Sequence, residues 1–198
     1  MNEITAYPGS IGARRKKPDW AAAEAAVRAF LDALGFDPDD PALKTTPRKT
    51  TEAFIEALTC GYETDPEEAL GSGFPVSGHV PVVATEIPLL FMCPHHLMPA
   101  RGLGRMAFVA AKRAPGLSRI NRVFDVLSRR LVLQEDLTEQ IAGVFFDRFG
   151  AQAVVVEIEA HHTCVALEDF AHRDTRFVTY AQRGDPEIVA RLEARLRA

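Results

Sequence analysis

The sequence has few cysteines and no long apolar run, and both shortages narrow the kinds of protein that it can encode. Three cysteines in 198 residues are a small and odd number, which argues against a disulfide framework. No apolar stretch approaches the roughly 18–20 residues that a membrane-spanning helix requires. Residues 1–12 contain no hydrophobic core region of the kind found in secretory signals. We therefore expect a cytoplasmic protein with no membrane partner.

The chain also lacks a strong charge of either sign. It carries 23 Lys and Arg against 27 Asp and Glu, a net charge of −4, which gives no general attraction to nucleic acid. The one basic run, residues 14–17, is expected to be a solvated part of a terminal arm. Hydrophobic residues make up 47% and charged residues 25%, as in globular proteins. The sequence therefore predicts a compact protein with no nucleic-acid partner.

The histidines and cysteines that are present lie mostly in two short patches. The patches contain Cys93, His95 and His96, and about seventy residues later His161, His162 and Cys164. Thiolate and imidazole are the ligands that zinc prefers, and in a reducing compartment such a cluster indicates a metal site rather than a crosslink. Cys93 and His96 are three residues apart, which a tight turn can bring onto one ion, although spacing alone does not choose between His95 and His96. Three protein ligands would make a catalytic site, and four a structural one.

Hydrophobic periodicity predicts an α+β protein. Helices are expected at 19–34, 46–61 and 133–149. Two more are expected to begin at Ser118, as N-cap, and at residue 185. Strands are expected at 80–91, 103–111, 153–166 and 175–182. In the strand 153–166, alternation puts His162 and Cys164 on one face. We divide the chain into a flexible arm (1–18), a helical part (19–70), a catalytic domain (71–184) that opens with a loop over 71–78, and a C-terminal helix (185–198).

Four motifs together resemble the GTP cyclohydrolase I family over about residues 20–182. They are Cys93-x-His95-His96 with Pro99, the segment Gly116–Arg122, the segment Gln134–Thr138, and Ala160-x-His162-x-Cys164. The resemblance implies a tunnelling fold, in which two strands, two helices and two strands follow a helical N-terminal part. It also implies a toroidal homodecamer with active sites at the subunit interfaces.

The resemblance further implies an activity and a role for each motif residue. The implied reaction opens the imidazole ring of GTP by hydrolysis, releases formate and yields 7,8-dihydroneopterin triphosphate. Zinc would be held by Cys93, His96 and Cys164, with His95 and His162 as acid/base groups. Glu135 would bind the guanine, because a carboxylate can accept hydrogen bonds from both its N1–H and its 2-amino group, and Gln134 would also bind the substrate. Ser118, Arg119 and Arg122, at the start of a helix, would bind phosphate.

Three positions depart from the family pattern and keep two alternatives open. Pro94 stands where the family has glutamate, and Glu168 and Glu52 stand where it has cations for the triphosphate. A carboxylate repels a phosphate, so one alternative is the same zinc chemistry on a guanine-type purine with fewer phosphates or none. The other is a non-catalytic, zinc-stabilised scaffold that binds a pterin or purine.

Overall fold

The computed structural model describes residues 9–77 and 80–197. Seven α-helices and six strands are found there. They are α1 (Trp20–Ala33), α2 (Thr46–Glu52), α3 (Pro66–Leu70), β1 (Phe74–Pro75), β2 (Pro81–Cys93), β3 (Met98–Val109), β4 (Arg113–Ala114), α4 (Leu117–Ser128), α5 (Gln134–Phe149), β5 (Ala153–His162), α6 (Thr163–Glu168), β6 (Phe177–Gly184) and α7 (Pro186–Leu196). A π-helical stretch (Ala53–Leu58) continues α2, and single 3₁₀ turns occur at Cys60–Glu63 and Phe170–His172. The α+β class is confirmed.

The main sheet is antiparallel, with the strand order β2-β3-β5-β6. Helices α4 and α5 cover one face, and their apolar stripes pack against alternate residues of the strands, such as Val154, Val156 and Ile158 of β5. Helix α7 covers part of the opposite face, where it packs on Ala107 and Val155. The strand-strand-helix-helix-strand-strand order predicted for the core is therefore present, with short elements inserted between its members. None of the described helices combines the length and apolarity needed to span a membrane.

Several predicted boundaries are wrong. The strand expected over 153–166 ends at His162, and Cys164 lies in α6. The loop expected over 71–78 contains β1, which pairs with β4. Helix α4 begins at Leu117 after Gly116, so Ser118 is inside the helix and does not cap it. The sequence predicts Thr46 as an N-cap followed by the proline at position 47, but Thr46 is already inside α2 and Thr45 precedes the helix.

The arm predicted over 1–18 lies partly outside the described residues. Its described part follows the surface of the helical region and is held there by hydrogen bonds. Arg14 pairs with Asp65 at 2.9 Å, and Arg15 reaches Thr59 at 2.6 Å and Glu63 at 2.7 Å. The basic run is therefore not simply solvated, because two of its four side chains bind groups of the folded body.

Gly102 of β3 lies against the backbone of β5, and we expect Gly102→Ala to be strongly destabilising. A Cβ there would lie 2.1 Å from the carbonyl oxygen of Glu159 and 2.7 Å from the Cβ of Ala160. Backbone atoms cannot move aside cheaply, so the free energy of unfolding should fall by about 3 kcal/mol. Gly143→Ala is the matched control: it lies inside α5 with no atom closer than 3.8 Å, so alanine should stabilise by about 1 kcal/mol. Denaturant midpoints measure both, and equal midpoints for the two variants would contradict the prediction.

Candidate active site

A tight turn between β2 and β3 brings the first two thiol and imidazole groups together. Cys93 ends β2, and the amide of Leu97 donates back to the Cys93 carbonyl at 2.9 Å. Leu97 has a φ of +51°, a left-handed conformation, and β3 begins at the next residue. Pro94 follows Cys93, and its fixed φ suits the turn. As a result, the Cys93 Sγ lies 3.7 Å from the His96 Nδ1.

Cys164 completes a three-residue cluster. The ligand atoms of Cys93, His96 and Cys164 all lie within 4.8 Å of one another. Cys164 reaches this position because the chain leaves β5 at His162 and turns into α6, where the Thr163 hydroxyl donates to the Pro99 carbonyl at 2.6 Å. Spacing left the choice between His95 and His96 open. In the structure His96 belongs to the cluster and His95 does not.

The chemistry of this donor set fits a zinc ion. Two thiols and one imidazole are soft to borderline ligands of the kind that zinc prefers. Burial raises the pKa of the Cys164 thiol, and neighbouring Cys93 raises it further because two thiolates repel each other. A divalent cation between the sulfur atoms would reverse that repulsion. Three protein ligands leave a coordination position open, as in catalytic sites.

A cavity of about 460 Å³ opens beside the cluster. It is lined by Cys93, His95, His96, Val132, Leu133, Gln134, Glu135, His162, Cys164, Val165, Phe177, Val178 and Thr179. The volume suits a small organic molecule. The cavity therefore brings together the candidate metal ligands, the two candidate acid/base histidines and both residues from the start of α5. Glu135, the second residue of α5, is exposed there.

His162 is held in place at one wall of this cavity. Its Nε2 lies 2.7 Å from the Oε1 of Gln134. The rings of Phe91 and Phe177 meet it edge-on, each with its centroid 5.5 Å away. Burial lowers the pKa of His162, and the carboxylate of Glu135 opposes that shift. The sequence motifs indicated His162 and Gln134, but they gave no sign of the contact between them or of the two aromatic walls.

The predicted phosphate-binding residues do not line the cavity of their own chain. Ser118, Arg119 and Arg122 are exposed on the first turns of α4. The last turn of α4 is the end that lies near the site. Just after that turn, the Arg130 carbonyl accepts a hydrogen bond from the amide of Met92, the residue before Cys93. A helix of 12 residues is about 18 Å long, so these side chains lie at its far end. Arg119 instead donates to the Ala69 carbonyl at 3.3 Å.

Comparison with known proteins identifies the family. A model described as GTP cyclohydrolase I matches residues 23–197. The proteins named GTP cyclohydrolase 1 from Brucella canis and Brucella abortus are each 38% identical over 189 residues, which covers 93% of this chain and 88% of the relative. The same-named protein of Brucella suis is 37% identical over the same share. The chain belongs to the GTP cyclohydrolase I family.

Three positions depart from the family pattern, and the structure shows where each of them lies. Glu168 is exposed on α6 and does not line the cavity. Glu52 pairs with Arg48 at 3.0 Å, one helical turn away. Neither carboxylate therefore adds negative charge directly to the cavity wall. Pro94 lies within the turn that joins Cys93 to His96, so it influences the geometry of the Cys93–His96–Cys164 cluster.

Proposed function

We propose that this chain is a zinc-dependent hydrolase that opens the imidazole ring of GTP, releases formate and forms 7,8-dihydroneopterin triphosphate. One observation carries the proposal: a single cavity joins the Cys93–His96–Cys164 cluster to His95, His162 and Glu135. Metal ligands, acid/base groups and a carboxylate for the base are the parts that hydrolysis of a guanine ring requires. The family of the chain supports the same reaction.

Glu135 is the proposed anchor of the guanine base. Its carboxylate is exposed at the N-terminal end of α5 and faces the cavity. A carboxylate can accept hydrogen bonds from the N1–H and the 2-amino group of guanine together, and such charge-assisted pairs are short and directional. The base would thus be oriented by its six-membered ring, leaving the five-membered ring to meet the histidines.

The proposed zinc ion would be held by Cys93, His96 and Cys164. When bound, zinc supplies a nucleophilic water at neutral pH. His162 and His95 would move protons to and from the purine nitrogens, for which imidazole is suited because its pKa lies near neutrality. The lowered pKa of His162 favours the neutral, proton-accepting imidazole at pH 7.

The phosphate-binding role of Ser118, Arg119 and Arg122 requires a second copy of the chain. These residues lie at the far end of α4 from the cavity of their own subunit, and they are exposed. In the proposed ring-shaped homodecamer, they would face the cavity of a neighbouring subunit. The start of α4 is the positive end of the helix dipole and carries two guanidinium groups, and both features favour a phosphate.

The proposal is tested by following formate release from GTP labelled at C8. We expect turnover that is lost when a chelator removes the metal and that returns on addition of zinc. A protein that contains zinc and binds GTP but releases no formate would contradict the proposal and favour the non-catalytic scaffold.

A second candidate substrate, a guanine compound with fewer phosphates, is favoured by one observation. Among the described residues, no lysine or arginine lines the cavity. The two arginines that follow α6 both have carboxylate partners: Arg173 pairs with Asp174 at 3.5 Å and Arg176 with Glu159 at 2.9 Å. Values of kcat/KM for GTP, GMP, guanosine and guanine separate the candidates, and the highest value for GTP would exclude this one.

A further inference from the structure

Gln134 lies at the start of α5 with its side chain buried against His162. Only 3% of the residue is exposed. Its amide nitrogen donates to the carbonyl of Ile158 at 3.0 Å, to the carbonyl of Phe177 at 2.9 Å and to the hydroxyl of Thr179 at 3.1 Å. Its amide oxygen lies 2.7 Å from the Nε2 of His162. Protein partners therefore occupy both ends of the amide.

These partners fix which way the amide points. Backbone carbonyls only accept hydrogen bonds, so the NH₂ group must face Ile158 and Phe177. A flipped amide would place its oxygen against two carbonyl oxygens and leave buried acceptors unpaired, which is costly. The amide oxygen of Gln134 must therefore face His162.

The orientation of the amide in turn fixes the hydrogen on His162. An amide oxygen can only accept, so the Nε2 of His162 must carry a hydrogen and donate it to Gln134. In the neutral imidazole the lone pair then lies on Nδ1. When Nδ1 accepts a proton, Nε2 keeps its hydrogen and its partner, and the hydrogen bond becomes charge-assisted. The same contact thus serves both forms of the ring without rearrangement.

We propose that Gln134 is a positioning residue that fixes the orientation and tautomer of His162, so that Nδ1 is the nitrogen with the free lone pair in the neutral ring. The proposal replaces direct substrate binding, the role expected for Gln134 from the family resemblance. It rests on the proposed function, because His162 has a proton to exchange only if the purine ring is hydrolysed.

The test compares Gln134→Met with Thr138→Val by steady-state kinetics on zinc-loaded protein. Methionine keeps the length of the side chain but removes the acceptor for His162. Thr138→Val perturbs the same buried network, because Thr138 bonds to the Gln134 carbonyl at 2.7 Å and to the Thr179 hydroxyl at 2.6 Å, yet it leaves the Gln134–His162 contact in place. Zinc content and Tm are measured for each variant.

We expect Gln134→Met to lower kcat by about tenfold to a hundredfold, a part of the contribution of a general acid or base, with KM changed by less than about threefold. Thr138→Val should lower Tm and leave kcat within about twofold of wild type. A rise in KM with kcat retained would show that Gln134 binds substrate, and losses of kcat that follow Tm in both variants would show a structural role. Either result overturns the proposal.

A measurement on the wild-type protein does not depend on the folding of a variant. In protein labelled with ¹⁵N-histidine, the nitrogen shifts of His162 report its tautomer, and the signal is assigned by its loss in His162→Asn. We expect hydrogen on Nε2, and a neutral ring with hydrogen on Nδ1 would overturn the proposal. Wild-type protein that releases no formate, but whose His162 carries hydrogen on Nε2, would contradict the proposed function and leave the contact itself standing.

Discussion

Cys164→Ala should remove the metal and lower kcat/KM for GTP by on the order of a thousandfold or more. The substitution leaves only Cys93 and His96 from the cluster, fewer than the three or four protein ligands that zinc sites use. Without the ion there is no means of generating a nucleophile at neutral pH. Zinc content per chain and formate release from GTP should therefore be lost together. The loss should be more severe than that from any substitution that leaves all three ligands in place.

Cys60→Ala is the matched control for this loss. Cys60 is half-buried, and its thiol contacts the Ala57 carbonyl at 3.7 Å. Among the described residues, it belongs to no cluster of metal-ligating groups. The variant should keep its zinc and its turnover. If Cys164→Ala instead bound zinc at one ion per chain and kept its turnover, the assignment of the cluster as the metal site would be wrong.

The three-residue cluster could be predicted from sequence because its members lie in two short motifs. Two cysteines and two pairs of histidines at fixed spacing leave few ways to surround one ion. Spacing alone could not choose between His95 and His96, because both lie in the same turn, whereas the family resemblance implied His96. In the structure the turn that brings His96 to Cys93 ends with a left-handed backbone at Leu97, and a non-glycine residue gives little local signal for such a conformation.

The wrong secondary structure at Cys164 has a related cause. Residues 153–162 alternate and are rich in β-branched side chains, so the strand pattern continues naturally into the residues that follow. The strand ends because the chain turns into α6, where the hydroxyl of Thr163 bonds to the carbonyl of Pro99 on β3. A contact between residues 64 positions apart leaves no periodic signature. The family resemblance nevertheless grouped Cys164 with Cys93 and His96, because it does not depend on the local conformation, and the three side chains lie together in the structure.

The contacts of Gln134 and the docking of residues 9–18 likewise depend on residues that are distant in sequence. The partners of the Gln134 amide come from β5 and β6, 24 to 45 residues away in sequence. The arm is tied to the body through Arg130, which donates to the carbonyl of Ile11. Composition predicted a solvated arm because it weighs only local polarity, whereas in the fold a buried guanidinium binds the Ile11 carbonyl of the arm.

Arg130 is the residue outside the site whose loss should most lower the stability of the segments that surround it. It is 2% exposed. Its guanidinium donates to the carbonyls of Gly61, Thr64, Val126 and Ile11 at 2.9 to 3.2 Å. The Tyr62 ring centroid lies 5.3 Å from the guanidinium carbon. One side chain therefore joins the arm, the helical part and the end of α4, and the backbone beside it leads directly into Gln134.

Arg130→Met should lower the free energy of unfolding by about 3 kcal/mol, because several buried carbonyl groups would lose their donor. Arg130→Lys should restore only part of that loss, since an ammonium cannot reproduce the planar fork. The neighbouring Arg129→Met is the control: Arg129 pairs with Asp125 at 3.3 Å on the surface and donates to the Ala57 carbonyl at 3.1 Å, so its loss should cost about 1 kcal/mol. Denaturant midpoints rank the three variants. Equal losses for Arg129→Met and Arg130→Met would mean that the fold does not depend on the buried guanidinium, and that apolar packing alone positions the segment between α4 and α5.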